Sequence, residues 1–228
     1  MQFNGFQKMT LLDYPGKVAC TLFTAGCNFR CPFCHNAPLV TGGTDETYSE
    51  EEILAFLQKR RGLLDGVAVT GGEPLMHAML PNFLRKVKEL GFLVKLDTNG
   101  SFPERLSAVV SARLVDFVAM DVKNCRERYA ETCGTQIDLS AVEASVRYLL
   151  SSGVDYEFRT TVVKEFHDVS AIRSLAEWIR GAKAYYLQNF EDSGNLLCDG
   201  LSPLPKETLF EMQRAAAEIL PSVSLRGV

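Results

Sequence analysis

The sequence predicts an α/β fold, a partial (β/α)6 open barrel of the TIM type in which parallel strands alternate with crossover helices. Short β-branched or aliphatic runs alternate with longer amphipathic segments, which is the pattern of successive strand–helix units. A complete eight-unit barrel needs about 250 residues, so six units within 228 residues indicate an incomplete barrel. We expect one domain over residues 1–228, because chains of this length commonly fold as a single domain.

The predicted strands are apolar or β-branched runs, at residues 18–23, 67–69, 93–96, 115–120, 157–163 and 185–190. The predicted helices have an amphipathic period, at residues 49–61, 80–90, 103–110, 139–151, 169–179 and 206–219. The first of these helices has the clearest start, because Ser49 followed by Glu52 is a capping box. Four glycines fall just past helix ends, where a left-handed residue is commonly needed: Gly62, Gly91, Gly153 and Gly181.

The charge and the N-terminal sequence disfavour several classes of partner. The formal net charge is −4 and no long basic run occurs, which argues against non-specific binding of nucleic acid. Residues 1–10 lack the regions of a signal peptide, and no apolar run approaches the roughly 20 residues of a membrane helix. We therefore expect a soluble, cytoplasmic protein with neither a nucleic-acid nor a membrane partner.

Three of the seven cysteines, Cys27, Cys31 and Cys34, fall within eight residues after the first predicted strand. An odd number of cysteines without a secretory signal argues against a disulfide framework, so this group is a metal or redox site. Thiolates at spacings of four and three can wrap one 4Fe–4S cube, and three protein ligands leave one iron open for chemistry. The other cysteines are expected to be core or bystander thiols: Cys20, Cys125, Cys133 and Cys198.

Two alternatives for the cysteine group stay open on the residues alone. A zinc site would use the three cysteines and His35, but the adjacency of Cys34 and His35 makes it awkward for both to bind one ion. Three buried structural thiols would need no metal, although three cysteines on one short loop are unusual in that role. The spacing favours the cluster.

Polar residues follow most of the predicted strands, and in such folds the chemistry gathers at the carboxyl ends of the strands. They are Gly71-Gly72-Glu73-Pro74, Asp97-Thr98-Asn99-Gly100, Asp121-Val122-Lys123 and Gln188-Asn189, with Arg159 inside the fifth strand. The glycine pair lets the backbone approach a ligand closely, and Glu73 can accept hydrogen bonds from an ammonium group. We expect these residues to share one rim of the barrel.

The Cys-x3-Cys-x2-Cys spacing, with Phe33 before the last cysteine, resembles the signature of the radical SAM superfamily. The resemblance implies a radical SAM core and one 4Fe–4S cluster on the three cysteines, whose open iron is chelated by S-adenosylmethionine (SAM). It also implies that an electron delivered through the cluster cleaves SAM into a 5′-deoxyadenosyl radical, while protein residues position the cofactor. The catalytic residues are then Cys27, Cys31, Cys34 and Lys123.

The motifs after the later strands resemble those of the glycyl-radical-enzyme activases within this superfamily. The resemblance implies that Asp97, Thr98 and Asp121 hold a monovalent cation, Na⁺ or K⁺, beside the SAM carboxylate. It implies SAM contacts at the following residues: Phe33, Gly71, Gly72, Glu73, Asp97, Thr98, Asn99, Asp121, Lys123, Arg159 and Gln188. The three histidines are expected in polar supporting roles and not in acid–base chemistry.

Residues 5–17, 26–28 and 34–36 resemble the longer form of the anaerobic ribonucleoside-triphosphate reductase activating proteins. The resemblance implies hydrogen abstraction from the Cα of a glycine in a large glycyl radical enzyme, here anaerobic ribonucleotide reductase, with a flavodoxin or ferredoxin as electron donor. An open barrel leaves a lateral gap through which a peptide loop of that partner could reach SAM. Another glycyl radical enzyme, a small molecule or a peptide stays open as the substrate, and a non-catalytic iron–sulfur or zinc protein stays open as a class.

Two departures from the activases narrow the prediction. Some activases, notably that of pyruvate formate-lyase, carry a histidine at the end of the sixth strand. Residues 186–190 carry none, which argues against the activation of pyruvate formate-lyase. No cysteine lies between Cys34 and Gly71, where many activases insert a ferredoxin-like segment with extra cysteines. We therefore expect one cluster only and no ferredoxin-like insert.

Overall fold

The structure, a computed structural model, describes residues 1–42, 46–192 and 194–227. Its strands are β1 (Gln2–Phe3), β2 (Gly5–Thr10), β3 (Ala19–Thr24), β4 (Tyr48–Ser49), β5 (Gly66–Gly71), β6 (Leu93–Thr98), β7 (Phe117–Asp121), β8 (Asp155–Val162), β9 (Tyr185–Asn189) and β10 (Val223–Arg226). Its α-helices are α1 (Ala37–Thr41), α2 (Glu50–Lys59), α3 (Leu80–Glu89), α4 (Pro103–Ser111), α5 (Tyr129–Cys133), α6 (Leu139–Ser151), α7 (Val169–Trp178) and α8 (Lys206–Ala217). None of the helices in these described ranges combines the length and the hydropathy of a membrane-spanning segment.

The chain divides into two compact units. The first unit comprises Met1–Asn28, Pro38–Thr98 and Phe102–Val118, and the second comprises Phe29–Ala37, Asn99–Ser101 and Ala119–Val228. Neither unit is one continuous stretch of chain. The expectation of one domain over residues 1–228 stays a prediction.

In the first unit, β3, β5 and β6 form a parallel sheet, and β2 pairs with β3 in the antiparallel direction. The helix α2 lies between β3 and β5 in the chain, and α3 lies between β5 and β6, as the crossovers of parallel neighbours require. Parallel sheets are covered on both faces, and Leu22, Val69 and Val94 of these strands are accordingly fully buried.

In the second unit, β9 pairs in parallel with β8 on one side and with β10 on the other. The register places Tyr185 of β9 opposite both Phe158 of β8 and Val223 of β10. The helix α7 connects β8 to β9, and α8 connects β9 to β10. Phe158, Leu187 and Leu209 are fully buried and belong to the core of this unit.

The predicted α/β class, with parallel strands joined by helical crossovers, is confirmed. Each predicted strand and helix occurs, with ends within two residues of the prediction. The sequence did not predict β2 and β10. The middle of β2 is exposed and β10 is half-buried over all four of its residues, so neither strand carries the apolar run of a buried strand.

The predicted start of α2 is confirmed. Ser49 Oγ accepts a hydrogen bond from Glu52 N–H at 3.2 Å, and Glu52 Oε2 accepts one from Ser49 N–H at 2.7 Å. The glycines predicted to close helices have φ values from +66° to +94°, in the left-handed region: Gly62, Gly91, Gly153 and Gly181.

We expect Ser49→Ala to lower the free energy of unfolding by about 1 kcal/mol, because it removes the side-chain acceptor for Glu52 N–H. Urea denaturation at pH 7 measures this change. Glu51→Gln is the matched control, since Glu51 is exposed in the same first turn and takes no part in the capping box. The control should change the free energy by less than about 0.5 kcal/mol, and equal effects of the two variants would contradict the capping role.

Candidate active site

The cysteine loop, residues 27–34, begins in the first unit. Gly26 N–H donates to Leu39 O at 2.9 Å, and Gly26 O accepts from Glu73 N–H at 2.8 Å. These bonds tie the start of the loop to α1 and to the motif that follows β5. Cys27, which is half-buried, comes directly after them.

The two glycines at the end of β5 are required by the chain's own backbone. Gly71 has a φ of +119°, and a Cβ there would lie 2.3 Å from Thr24 O. A Cβ on Gly72 would lie 1.9 Å from Gly26 O, the carbonyl that precedes Cys27. The sequence predicted a close approach to a ligand, and the close approach that the structure shows is to the backbone beside the cysteine loop.

Glu73 and Thr98 are predicted SAM contacts that the structure brings together in the first unit. Glu73 is fully buried, and its Oε1 accepts from Thr98 Oγ1–H at 2.8 Å and from Leu75 N–H at 3.0 Å. The second bond caps a short 3₁₀ helix at Pro74–Met76. These bonds fix the position of a buried carboxylate, which is the kind of group that binds an ammonium ligand.

A buried ion pair lies towards the end of β6, also in the first unit. The Lys95 side chain is 2% exposed and its Nζ donates to Oδ1 of Asp97, whose side chain is 17% exposed. Residues two apart in a strand lie on the same face, so the two side chains meet directly. Lys95 is not among the site residues predicted from the sequence, because residues 93–96 are otherwise an apolar run and were predicted as a buried strand. The acidic residue two positions later is the signal that could have found it.

A second charged group, formed by Asp121, Lys123 and Arg159, belongs to the second unit. Asp121 Oδ1 accepts from Arg159 Nε–H at 2.8 Å, and Oδ2 accepts from Lys123 Nζ–H at 3.0 Å. Burial would raise the pKa of Asp121, but the charges of Arg159 and Lys123 outweigh it and hold that pKa below its usual range. Burial would lower the pKa of Lys123, yet Asp121 raises it, so the ammonium stays charged.

Cys31 and Cys34 lie in the second unit, where α5 packs against the cysteine loop. Arg30 N–H donates to Cys133 O at 2.9 Å, and a Cβ on Gly134 would lie 2.1 Å from Arg30 O. A hydrogen bond from the Cys133 side chain lowers the pKa of the buried Cys31 thiol to about 7, against the opposing effect of burial. Burial raises the pKa of Cys34. Cys133 was expected only as a core or bystander thiol, and its sequence position does not indicate this contact.

The donor chemistry around Cys31 fits an iron–sulfur cluster. A thiol with a lowered pKa readily becomes a thiolate, which is the ligand that these clusters require. Tyr129 Oη is buried and has no hydrogen-bond partner in the described part of the chain, and a buried hydroxyl of this kind calls for an acceptor. In the described ranges, no group of three or more His, Cys, Asp or Glu side chains is already arranged around a metal position. The cluster on Cys27, Cys31 and Cys34 therefore rests on donor type and spacing and stays a prediction.

The remaining predicted contacts, Phe33, Asn99 and Gln188, lie in the second unit. Phe33 is buried, with its ring centroid 6.0 Å from that of Phe166. Asn99 Oδ1 accepts from Ser101 N–H at 2.9 Å and from Ser101 Oγ–H at 2.6 Å. Gln188 lies in β9, next to the end of the strand.

Two histidines occupy supporting positions. His167 is buried, with Nδ1 accepting from Val163 N–H at 3.1 Å and Nε2 lying 2.8 Å from Lys123 O. Burial lowers the pKa of His167, so the ring is neutral and Nε2–H donates to that carbonyl. His77 Nε2 lies 2.9 Å from Ala25 O. These contacts link the histidines to neighbouring backbone segments, and the expectation that they have no acid–base role stays a prediction.

Comparison with known proteins relates this geometry to a family. A family model described as the radical SAM superfamily matches residues 21–179. A protein of Methanocaldococcus jannaschii, provisionally named as a glycyl-radical enzyme activating enzyme, is 30% identical over 238 residues, which cover 99% of this chain and 95% of that protein. The 7-carboxy-7-deazaguanine synthase of Halobacterium salinarum is 31% identical over 181 residues, which cover 75% of this chain and 68% of that enzyme.

The fold is also similar to that of a solved radical SAM methyltransferase from Sphaerobacter thermophilus. The TM-score is 0.74, and the match covers 95% of this chain and 68% of that one. The sequence identity is 14%, so this likeness shows the fold alone. It confirms the predicted α/β class with a radical SAM core and is consistent with an incomplete barrel.

We expect Asp121→Asn to lower the free energy of unfolding by about 2 kcal/mol at pH 7, because it leaves Lys123 and Arg159 without their shared anion. An aspartate whose pKa is depressed by folding contributes stability above its ordinary pKa of about 3.9, and loses it as the pH falls towards the lower folded value. The difference between wild type and variant should therefore shrink below about pH 4. Urea denaturation at pH 7, 5 and 3 measures it, and a constant difference across this range would contradict the depressed pKa.

Proposed function

Because the chain belongs to the radical SAM superfamily, we propose that it activates a glycyl radical enzyme by abstracting hydrogen from a glycine of that partner. The family implies a 4Fe–4S cluster and SAM, and the cluster, when bound, supplies the electron that cleaves SAM into a 5′-deoxyadenosyl radical. Cys27, Cys31 and Cys34 hold this one cluster in our proposal. The partner is a large protein substrate, and a flavodoxin or ferredoxin delivers the electron.

The extent of the similarity carries the proposal. The archaeal relative named for glycyl-radical enzyme activation aligns along 99% of this chain, whereas the deazaguanine synthase aligns along 75%. A relationship along nearly the whole chain favours a common activity over a shared core alone.

The charged group of the second unit is suited to the carboxylate of SAM. Lys123 and Arg159 each pair with one oxygen of the Asp121 carboxylate, so two cationic side chains are held close together. Asp121 holds both cationic side chains in place and keeps the Lys123 ammonium protonated. A carboxylate ligand meets there both a compact ammonium and a planar guanidinium, which are the two common cationic partners of carboxylates.

The buried carboxylate of the first unit is suited to the amino group of SAM. The Glu73 carboxylate is oriented by the Thr98 hydroxyl, so it can accept from an ammonium without having to reorganise. Gly71 and Gly72 hold this segment against the backbone at the start of the cysteine loop. Further SAM contacts are proposed at Phe33, Asn99 and Gln188.

Anaerobic ribonucleotide reductase is the partner that we propose among the glycyl radical enzymes. Its support is the resemblance of residues 5–17, 26–28 and 34–36 to the activating proteins of that reductase. The absence of a histidine from residues 186–190 argues against pyruvate formate-lyase.

A radical SAM enzyme that acts on a small molecule is the second candidate. The 31% identity to a 7-carboxy-7-deazaguanine synthase favours it. SAM cleavage that is coupled to conversion of a free metabolite, with no protein partner present, would identify this activity.

The reconstituted protein should contain about four irons per chain and form 5′-deoxyadenosine from SAM when reduced. Cys27→Ala, Cys31→Ala and Cys34→Ala should each abolish the electron paramagnetic resonance signal of the reduced cluster and the cleavage of SAM. Cys198→Ala is the matched control, because this exposed thiol is no predicted ligand and its loss should leave both unchanged. About eight irons per chain would contradict a single cluster.

Incubation of the reduced protein with SAM and anaerobic ribonucleotide reductase should give the doublet of a glycyl radical in the electron paramagnetic resonance spectrum. Replacement of the target glycine of the reductase by alanine is the control and should remove the doublet. SAM cleavage that proceeds without any doublet would rule out this reductase as the partner.

A further inference from the structure

The resemblance to the activases predicts a monovalent cation held by Asp97, Thr98 and Asp121, and each of these residues already has a partner from the chain itself. In the first unit, Asp97 Oδ1 accepts from the Lys95 ammonium, and Thr98 Oγ1 donates its hydrogen to Glu73. In the second unit, the two oxygens of Asp121 accept from cationic side chains at 2.8 Å and 3.0 Å. Because cationic side chains already pair with both carboxylates, a metal ion is not required to balance their charge.

We propose that Lys95 supplies, at Asp97, the positive charge that a bound Na⁺ or K⁺ would otherwise supply. An ammonium group carries the same single charge as these ions, and in Lys95 it is attached to the strand that carries the carboxylate. For its SAM-binding consequence, the inference rests on the proposed function. Lys95 is a positioning residue in this role, because it acts through Asp97.

The burial of Lys95 is the reason why the pairing is stable without a metal ion. With 2% of the side chain exposed, water cannot compensate the charge, so the ammonium needs an anion within reach. Asp97 is that anion, and it stands two residues away on the same face of β6. A metal ion on the same carboxylate would add a second positive charge beside the Lys95 ammonium in desolvated surroundings, which Coulomb repulsion disfavours.

The test compares salts of equal ionic strength on the cluster-reconstituted protein under anaerobic conditions. Thermal unfolding and the dissociation constant of SAM are measured in sodium, potassium and choline chloride, since choline is too large for a metal site. For the wild type, we expect midpoints that agree within about 1 °C and dissociation constants that agree within about twofold, because no ion binds specifically to the folded state.

Lys95→Met should create a requirement for a metal ion. Its unfolding midpoint should be higher, and its SAM affinity about fivefold greater, in sodium or potassium chloride than in choline chloride, because the ion then binds at Asp97. Lys88→Met is the matched control, since Lys88 also pairs with an aspartate, Asp116, at 2.6 Å in the same unit. Asp116 accepts from Val94 N–H near the start of β6, away from Asp97, so no preference among the salts is expected.

A saturable effect of Na⁺ or K⁺ on the wild type, or a Lys95→Met variant as indifferent to the salt as Lys88→Met, would overturn the proposal. Folding of Lys95→Met in potassium chloride but not in choline chloride would support it. If Lys95→Met is unfolded in every salt, the double variant Lys95→Met/Asp97→Asn decides. Recovery of folding in the double variant supports charge pairing, and failure to recover overturns it.

These measurements separate the inference from the proposed function. Neither thermal unfolding nor SAM affinity depends on the transfer of a radical to a partner. A protein that shows the expected salt behaviour and yields no glycyl radical would retain the role of Lys95 and lose the activase assignment. A protein that yields the radical only in sodium or potassium chloride would retain the assignment and lose the role of Lys95.

Discussion

A charged group that is buried away from water needs an oppositely charged partner within a few ångströms, and the candidate site is arranged around that requirement. The chain meets it by placing opposite charges two residues apart, in or just after a strand, as in Lys95 with Asp97 and Asp121 with Lys123. Because residues two apart in a strand lie on the same face, the two partners are already close to each other. Exposed ion pairs contribute little stability, whereas these pairs hold both a position and a charge state.

The charged side chains of each unit are positioned by partners within that unit. In the first unit, Lys95 pairs with Asp97, and the buried Glu73 accepts hydrogen bonds from the Thr98 hydroxyl and from Leu75 N–H. In the second unit, Asp121 accepts from both Lys123 and Arg159. Each unit therefore holds a carboxylate in a position set by the chain's own donors. The proposed function draws on these groups as well as on the resemblance to the activases.

The fold could be predicted wherever a local pattern has one physical meaning. The capping box at Ser49 predicted the start of α2, and the alternation of apolar runs with amphipathic segments predicted the parallel strands and their crossover helices. The exposed β2 and the short β10 carry no such pattern. At the site, spacing and strand position could predict residue types, but contacts between distant segments could not. Arg159 reaches Asp121 across 38 residues of chain, and nothing near Cys133 in the sequence points to Cys31. The contact of Lys95 with Asp97 is the exception, because the two residues are only two positions apart and their pairing could have been predicted from the sequence.

The conformation of the cysteine loop is determined largely by residues outside it. In each unit, a glycine from elsewhere in the chain lies against the backbone at or beside the loop, Gly72 at Gly26 O and Gly134 at Arg30 O. A methyl group at either glycine would collide with the carbonyl oxygen that it faces, so the two glycine segments restrict the conformation of the loop. Grafting residues 27–34 alone into another scaffold would transfer three cysteines without the surfaces that shape them. A designer who borrows this loop must borrow both glycine segments with it.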